Sequence, residues 1–191
     1  MAVKVVAIGA SAGGFGAVRE LLSVLPEDFG APIVVAIHSG PDGDLARSLD
    51  IARSSGPLIR EAQDGDRLEP GHVYALPAAK HGFFVGDELR LSDTVRDSGF
   101  RPSIDALFMT LAAVYRDAAV AVVLSGTMDD GKRGAQVIHD LGGITLVQDP
   151  GDASFAEMPR AVIRADHPYQ ILPAKALGEL LIELVHGEPT G

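Results

Sequence analysis

Three residue types able to share one reaction each stand just after an apolar run of this chain. Ser11 follows VVAIGA, His38 follows IVVAI, and Asp129 and Asp130 follow VAVVL and the turn SGTM. A serine hydroxyl is a poor nucleophile near neutral pH and needs a base within hydrogen-bond reach. Imidazole titrates in the useful range. A carboxylate then fixes the imidazole tautomer and stabilises the imidazolium, leaving Nε2 for the serine. Either Asp129 or Asp130 fits that place. The spelling GASAG around Ser11 fits G-x-S-x-G, a sharp strand-to-helix turn that exposes the hydroxyl and aims backbone N–H groups at a developing oxyanion.

Each residue also has a plainer use. A serine in a small-residue turn is often only a helix cap, an aspartate before glycine often caps the next helix, and a histidine at a strand end can hydrogen-bond a loop. The turn also approaches a dinucleotide-binding fingerprint. That fold wants glycine where Ser11 stands and an acid where His38 stands, so both departures favour acyl chemistry. No phosphate loop of the G-x-x-x-x-G-K-[ST] type occurs.

The elements that must position these groups follow from periodicity. Apolar runs at Val5–Ile8, Ile33–Ile37, Val73–Leu76, Val120–Leu124 and Ile144–Val147 alternate with helical patterns at Phe15–Leu25, Asp44–Ser54, Ser103–Tyr115, Gly134–Leu141 and Ala174–Val185. Such alternation predicts an α/β fold, a doubly wound, mostly parallel sheet with helices on both faces. Ligands of that fold bind outside the carboxyl ends of the strands, where Ser11, His38 and the Asp pair fall. Phe83–Ser92 alternates about a Gly-Asp pair, which predicts an antiparallel hairpin at the rim, attached to a sheet edge.

The chain has 191 residues, suited to a single domain over 1–191 with a frayed tail at Gly187–Gly191. With 26 acids against 16 Lys plus Arg, the net charge of -10 disfavours nucleic-acid binding. The absence of cysteine excludes disulfides and thiolate chemistry. No histidine pair has metal-ligand spacing, so neither metal nor cofactor is expected. No apolar stretch reaches the length of a membrane span, and no signal-type segment opens the chain; a cytoplasmic protein without membrane insertion is expected.

Six ordered blocks resemble one known family: IGASAGG (Ile8–Gly14), VVAIH (Val34–His38), AQDGDRLEPGHVYALPAAKH (Ala62–His81), RPSID (Arg101–Asp105), VVLSGTMDDGKRGA (Val122–Ala135) and MPRAVI (Met158–Ile163). The chain resembles the catalytic domain of the bacterial chemotaxis protein-glutamate methylesterases, the CheB family. The resemblance places the nucleophile on Ser11, the histidine on His38 and the aspartate on Asp130 rather than Asp129. It also places the oxyanion hole on the backbone N–H groups of Ala12 and Thr127. It implies hydrolysis of glutamate γ-methyl esters, and deamidation of glutamines, on chemoreceptors or another methylated protein. Arg101 could receive an acidic receptor segment, or pair structurally with Asp105. Two departures stand out: Thr127-Met128 replaces a Met-Gly pair, and the first strand starts almost at Met1 where the family's typical member has a receiver domain, as in a stand-alone esterase domain or a piece of a longer chain, so regulation by phosphorylation within these residues is not expected. A scaffold module without activity is the competing reading.

Overall fold

The computed structural model describes residues 5–38, 44–51, 55–95, 97, 99–165 and 168–186. Strands covered on both faces read as continuous apolar runs, because no face is left for polar residues. Accordingly β1 (Val5–Ala10), β2 (Ile33–Ile37) and β8 (Ala119–Val123) are buried at every position. They form the middle of a seven-stranded, all-parallel sheet. β5 (His72–Ala75) and β3 (Leu58–Glu61) lie beyond β2, and β9 (Ile144–Gln148) and β10 (Gln170–Leu172) beyond β8.

Helices cover both faces. Val6, Ile8, Val35 and Val122 point into one core with α1 (Gly14–Leu22), α2 (Leu45–Ile51) and α6 (Ala174–His186). Val5, Ala7, Ala36 and Val123 point into the other with α3 (Ile104–Tyr115), α4 (Lys132–Asp140) and α5 (Glu157–Ala165). Each fully buried Ile, Leu or Phe, such as Ile8 or Phe108, contributes ~1.5–3 kcal/mol by leaving water.

Three details depart from expectation. The hairpin of β6 (His81–Val85) and β7 (Glu88–Ser92) does not extend an edge of the main sheet. It pairs with β4 (Asp66–Arg67) in a separate three-stranded antiparallel sheet. That sheet lies on α3: Phe84 N–H donates to Thr110 Oγ1 at 3.1 Å, and the Phe84 ring meets Tyr115 edge-on at 5.8 Å. Secondly, α5 was not among the expected helices, and it contains Pro159, a residue that breaks helix interiors. That proline sits in the first turn, where the missing N–H leaves no helical bond unmade. Thirdly, α4 starts at Lys132, two residues before the expected Gly134. Residues 52–54 of the expected second helix and the tail at 187–191 lie outside the described residues.

The connection order sets the site. The chain leaves β1 toward β2 on one side and returns later to β8 on the other, so β1 is the switch point and a crevice opens beyond its carboxyl end. Gly9 admits α3 to that place: a Cβ there would collide with the Ile104 side chain at the first position of the helix.

Candidate active site

The turn after β1 is built by hydrogen bonds that bypass the Ser11 hydroxyl. Ser11 N–H donates to the Ser125 carbonyl at 2.9 Å, and Gly14 N–H closes back onto the Ser11 carbonyl at 2.8 Å. Gly13 takes φ of 71°, which a side chain would oppose. Across the crevice Ser125, which is buried, donates its Oγ to the Ala12 carbonyl at 2.8 Å and accepts from Phe155 N–H at 3.0 Å. The side-chain carbonyl of Gln148 takes Ser125 N–H at 2.8 Å. Two strand ends are thereby clamped together around Ser11.

His38 continues β2 into the crevice, its N–H bonded to the Ala10 carbonyl at 3.1 Å. Its Nε2 lies 2.8 Å from Asp130 Oδ2. The expectation for the ring was the reverse, with Nε2 turned to the serine. Asp130 is pinned by the α3 N-terminus, so it meets the imidazole at its distal nitrogen and leaves Nδ1 for other partners. On one ring face Phe100 stacks with centroids 4.5 Å apart and planes inclined by 10°.

Asp130 is 3% exposed. Its Oδ2 also accepts Ile104 N–H at 2.8 Å and its Oδ1 accepts Asp105 N–H at 2.9 Å, the first two N–H groups of α3. A carboxylate at a helix N-terminus is favoured by the orphan donors and the dipole together. The arrangement is reciprocal. Asp105, in α3, accepts Gly131 N–H at 2.9 Å and Gly134 N–H at 2.8 Å from the start of α4, and Arg133 Nε at 2.7 Å. Burial pushes the Asp105 carboxyl above its ordinary value; the Gly134 and Arg133 donors oppose that push, and the negative charge of Asp130 adds to it.

Asp129, the other carboxylate left open by spacing, is exposed and lies 3.4 Å from Lys132 Nζ. The structure therefore brings His38 to Asp130 and not to Asp129. Ser11 lies on the neighbouring strand end, and its Oγ makes no hydrogen bond among the described residues. Catalytic hydrogen bonds in unliganded sites are often open and tighten in the substrate complex.

Around Ser11 the backbone donors divide into two sets. Those of Ser11, Gly126 and Met128 are committed to the Ser125 carbonyl, the Phe155 carbonyl and Glu157 Oε2. Those of Ala12 and Thr127 have no acceptor among the described residues. Met128 holds φ of 70°, a left-handed conformation suited to glycine, so the turn keeps its shape with a side chain in place of the Gly of the Met-Gly pair. Arg101 is committed elsewhere: its Nη1 donates to the carbonyls of Asp93 at 2.8 Å and Thr94 at 3.0 Å, while Asp105 pairs with Arg133 instead. No group of three or more potential metal ligands occurs among the described residues.

Phe100, Ser125 and Gln148 were not singled out by sequence reasoning. Ser125 was within reach, since it opens the same strand-end turn as Asp130. Phe100 and Gln148 carry no local signal, because their partners are distant in the chain.

The family model for CheB methylesterase matches residues 6–181. The chain belongs to the CheB methylesterase family. A protein-glutamate methylesterase/protein-glutamine glutaminase of Moorella thermoacetica is 36% identical over 97% of this chain, which spans 45% of that protein. One from Thermotoga maritima is 33% identical over 95% of the chain, which spans 54% of it. A Leptospira interrogans protein, provisionally named for the same two activities, is 35% identical with 96% of both chains covered. The crystal structure of the Thermotoga maritima CheB methylesterase catalytic domain superposes with a TM-score of 0.89 at 32% identity, over 97% of this chain and 100% of that one. These relatives support methylesterase function for the chain. No helix among the described residues is long and apolar enough to cross a membrane.

Proposed function

We propose that this CheB-family chain hydrolyses glutamate γ-methyl esters on chemoreceptors, in the cytoplasm, through Ser11, His38 and Asp130. The observation that carries the reading is the 2.8 Å bond from His38 Nε2 to a buried Asp130, at the switch point beside the Ser11 turn. Asp130 keeps the proton of His38 on Nε2, so Nδ1 is the basic nitrogen. Nδ1 takes the Ser11 proton as Oγ attacks the ester carbonyl. The oxyanion is received by the uncommitted N–H groups of Ala12 and Thr127. Collapse expels methoxide, which leaves as methanol with the proton from His38. Water, deprotonated by Nδ1, then attacks the acyl-enzyme; Nδ1 returns that proton to Ser11 Oγ as the acyl–oxygen bond breaks, and the acid released ionises to the glutamate carboxylate. With a glutamine side chain the same steps release ammonia, so deamidation needs no further group.

The test is labelling with a fluorophosphonate. Modification of Ser11, located by mass spectrometry, together with methanol release from a methylated receptor, is the expected result. Absence of both from folded protein would instead support a scaffold without activity.

Phe100 has a positioning role in this reading. It holds the His38 ring flat against an aromatic face and shields it from water, and such stacking is worth ~0.5–1.5 kcal/mol beyond burial. Phe100→Ala should lower kcat by roughly 2- to 10-fold, that energy expressed as a rate, with KM nearly unchanged. Phe100→Tyr should restore most of it. Steady-state methanol release separates the two constants, and an effect on KM alone would place Phe100 in substrate binding instead.

A further inference from the structure

Beside the Ser11 crevice lies an open groove of about 650 Å³, lined by Met128, Asp129, Lys132, Glu157, Arg160, Ala161, Arg164 and Ala165. One wall is the turn that carries Thr127 and Asp130. The other is a single face of α5, on which Glu157, Arg160, Ala161 and Arg164 recur at helical spacing. The helix is held to the turn by two backbone bonds, Met158 N–H to the Gly126 carbonyl at 3.0 Å and Gly126 N–H to the Phe155 carbonyl at 2.9 Å.

Three bases, Lys132, Arg160 and Arg164, stand against two acids, Asp129 and Glu157, in the lining of this groove, which leaves it a net +1. Glu157 Oε2 is occupied by Met128 N–H at 2.9 Å, and Asp129 Oδ2 lies 3.4 Å from Lys132 Nζ. Arg160 and Arg164 are exposed and have no carboxylate partner among the described residues. In a chain of net charge -10, two guanidinium groups one helical turn apart, unpaired among the described residues, make a local positive site. Each presents a planar fork suited to a carboxylate. Arg101 is not among the residues lining the groove, and its Nη1 is bonded to backbone carbonyls.

We propose that this groove is a carboxylate-binding subsite, in which Arg160 and Arg164 hold acidic side chains of the polypeptide that carries the ester. The inference rests on the esterase reading above and adds to it the chemistry the groove would recognise: carboxylates on the same polypeptide as the ester. A polypeptide whose ester lies on Ser11 reaches the groove at once, because Met128, at its mouth, adjoins the Thr127 N–H. Exposed Met128, in the lining of the groove, supplies apolar surface for the aliphatic parts of the segment. The subsite also offsets the repulsion that a chain of net charge -10 exerts on an acidic partner.

The test is selectivity. For the double variant Arg160→Glu, Arg164→Glu, kcat/KM is measured on a methylated receptor fragment and on p-nitrophenyl acetate, a small neutral ester. The ratio of the two should fall on the order of ten- to hundredfold, mainly through KM of the polypeptide. Arg160→Lys, Arg164→Lys should retain most of the ratio. Poly-L-glutamate should inhibit wild type competitively, less so at high salt, and inhibit the Glu variant more weakly. An unchanged ratio, from equal losses on both substrates or from no loss on either, would overturn the subsite and leave the esterase reading standing. Stronger competition by inorganic polyphosphate than by poly-L-glutamate would overturn its assignment to carboxylates. Failure of the esterase reading is separately visible, as Ser11→Ala retaining activity on both esters.

Discussion

Ser11→Ala should abolish methanol release from a methylated receptor while leaving the melting temperature nearly unchanged. The size of the kinetic effect follows from what remains. Without Oγ the acyl-enzyme route is closed, and loss of the nucleophile of a serine triad lowers kcat by roughly six orders of magnitude. The Ala12 and Thr127 N–H groups and the walls of the crevice persist, so residual acceleration over water of about 10³–10⁴ is the expected floor. The stability side is unusual for a residue in so small a turn. Its conformation is fixed by Ser11 N–H on the Ser125 carbonyl, by Gly14 N–H on the Ser11 carbonyl and by Ser125 Oγ on the Ala12 carbonyl, none of which uses the Ser11 side chain. Alanine keeps every one of them. A thermal melt beside the methanol assay separates the outcomes: unchanged turnover would remove Ser11 from the reaction, while a large fall in melting temperature would show a structural hydroxyl.

What was legible in the sequence, and what was not, divides by the range of the interaction responsible. The central strands declare themselves, because β1, β2 and β8 are buried on both faces and no polar residue interrupts them. Edge strands do not. β10 is exposed at two of its three residues and β3 at both ends, so neither carries a continuous apolar run. The start of α3 was readable from Ser103, whose Oγ accepts Ala106 N–H at 3.1 Å as a cap should. The hairpin turn at Gly86-Asp87 was readable too, but not its partner. β4 is two residues long, and the pairing of Asp66 with Leu89 leaves no local trace.

The same division runs through the site. Placement of Ser11 and His38 at strand ends needed only the strand pattern and the rule that ligands gather at carboxyl ends. The choice of Asp130 over Asp129 came from resemblance, and the structure supplies its physical reason: Asp130 is buried on the N-terminus of α3 and Asp129 faces solvent. That approach of α3, through the gap left by Gly9, also decides which imidazole nitrogen meets the carboxylate. No spacing rule within β2 could have supplied it. Phe100 is hidden for the same reason, since a stacking partner is defined by the meeting of two distant loops.

Asp130→Asn should be damaging twice over, and for separable causes. The side chain is nearly the same shape, but an amide has one acceptor where the carboxylate has two. Asp130 receives three donors: His38 Nε2 and Ile104 N–H on Oδ2, and Asp105 N–H on Oδ1. If the amide nitrogen takes the Oδ1 place, it faces Asp105 N–H, donor against donor, and a buried group goes unsatisfied at a cost of ~1–3 kcal/mol. If it takes the Oδ2 place, it faces Ile104 N–H, and His38 can meet it only by accepting at Nε2. The ring proton then moves to Nδ1, the nitrogen that must take the Ser11 proton. This second arrangement inactivates the base, and the matching change in a serine triad lowers kcat by about 10⁴. Methanol release should therefore fall by up to roughly that factor, in proportion to the share of molecules in the second arrangement, with a lowered melting temperature read on the same sample. Nitrogen-15 spectra of the His38 ring distinguish the causes: a proton on Nδ1 marks the wrong tautomer. A proton still on Nε2, with stability alone reduced, would make Asp130 a cap of α3 and not the group that orients the base.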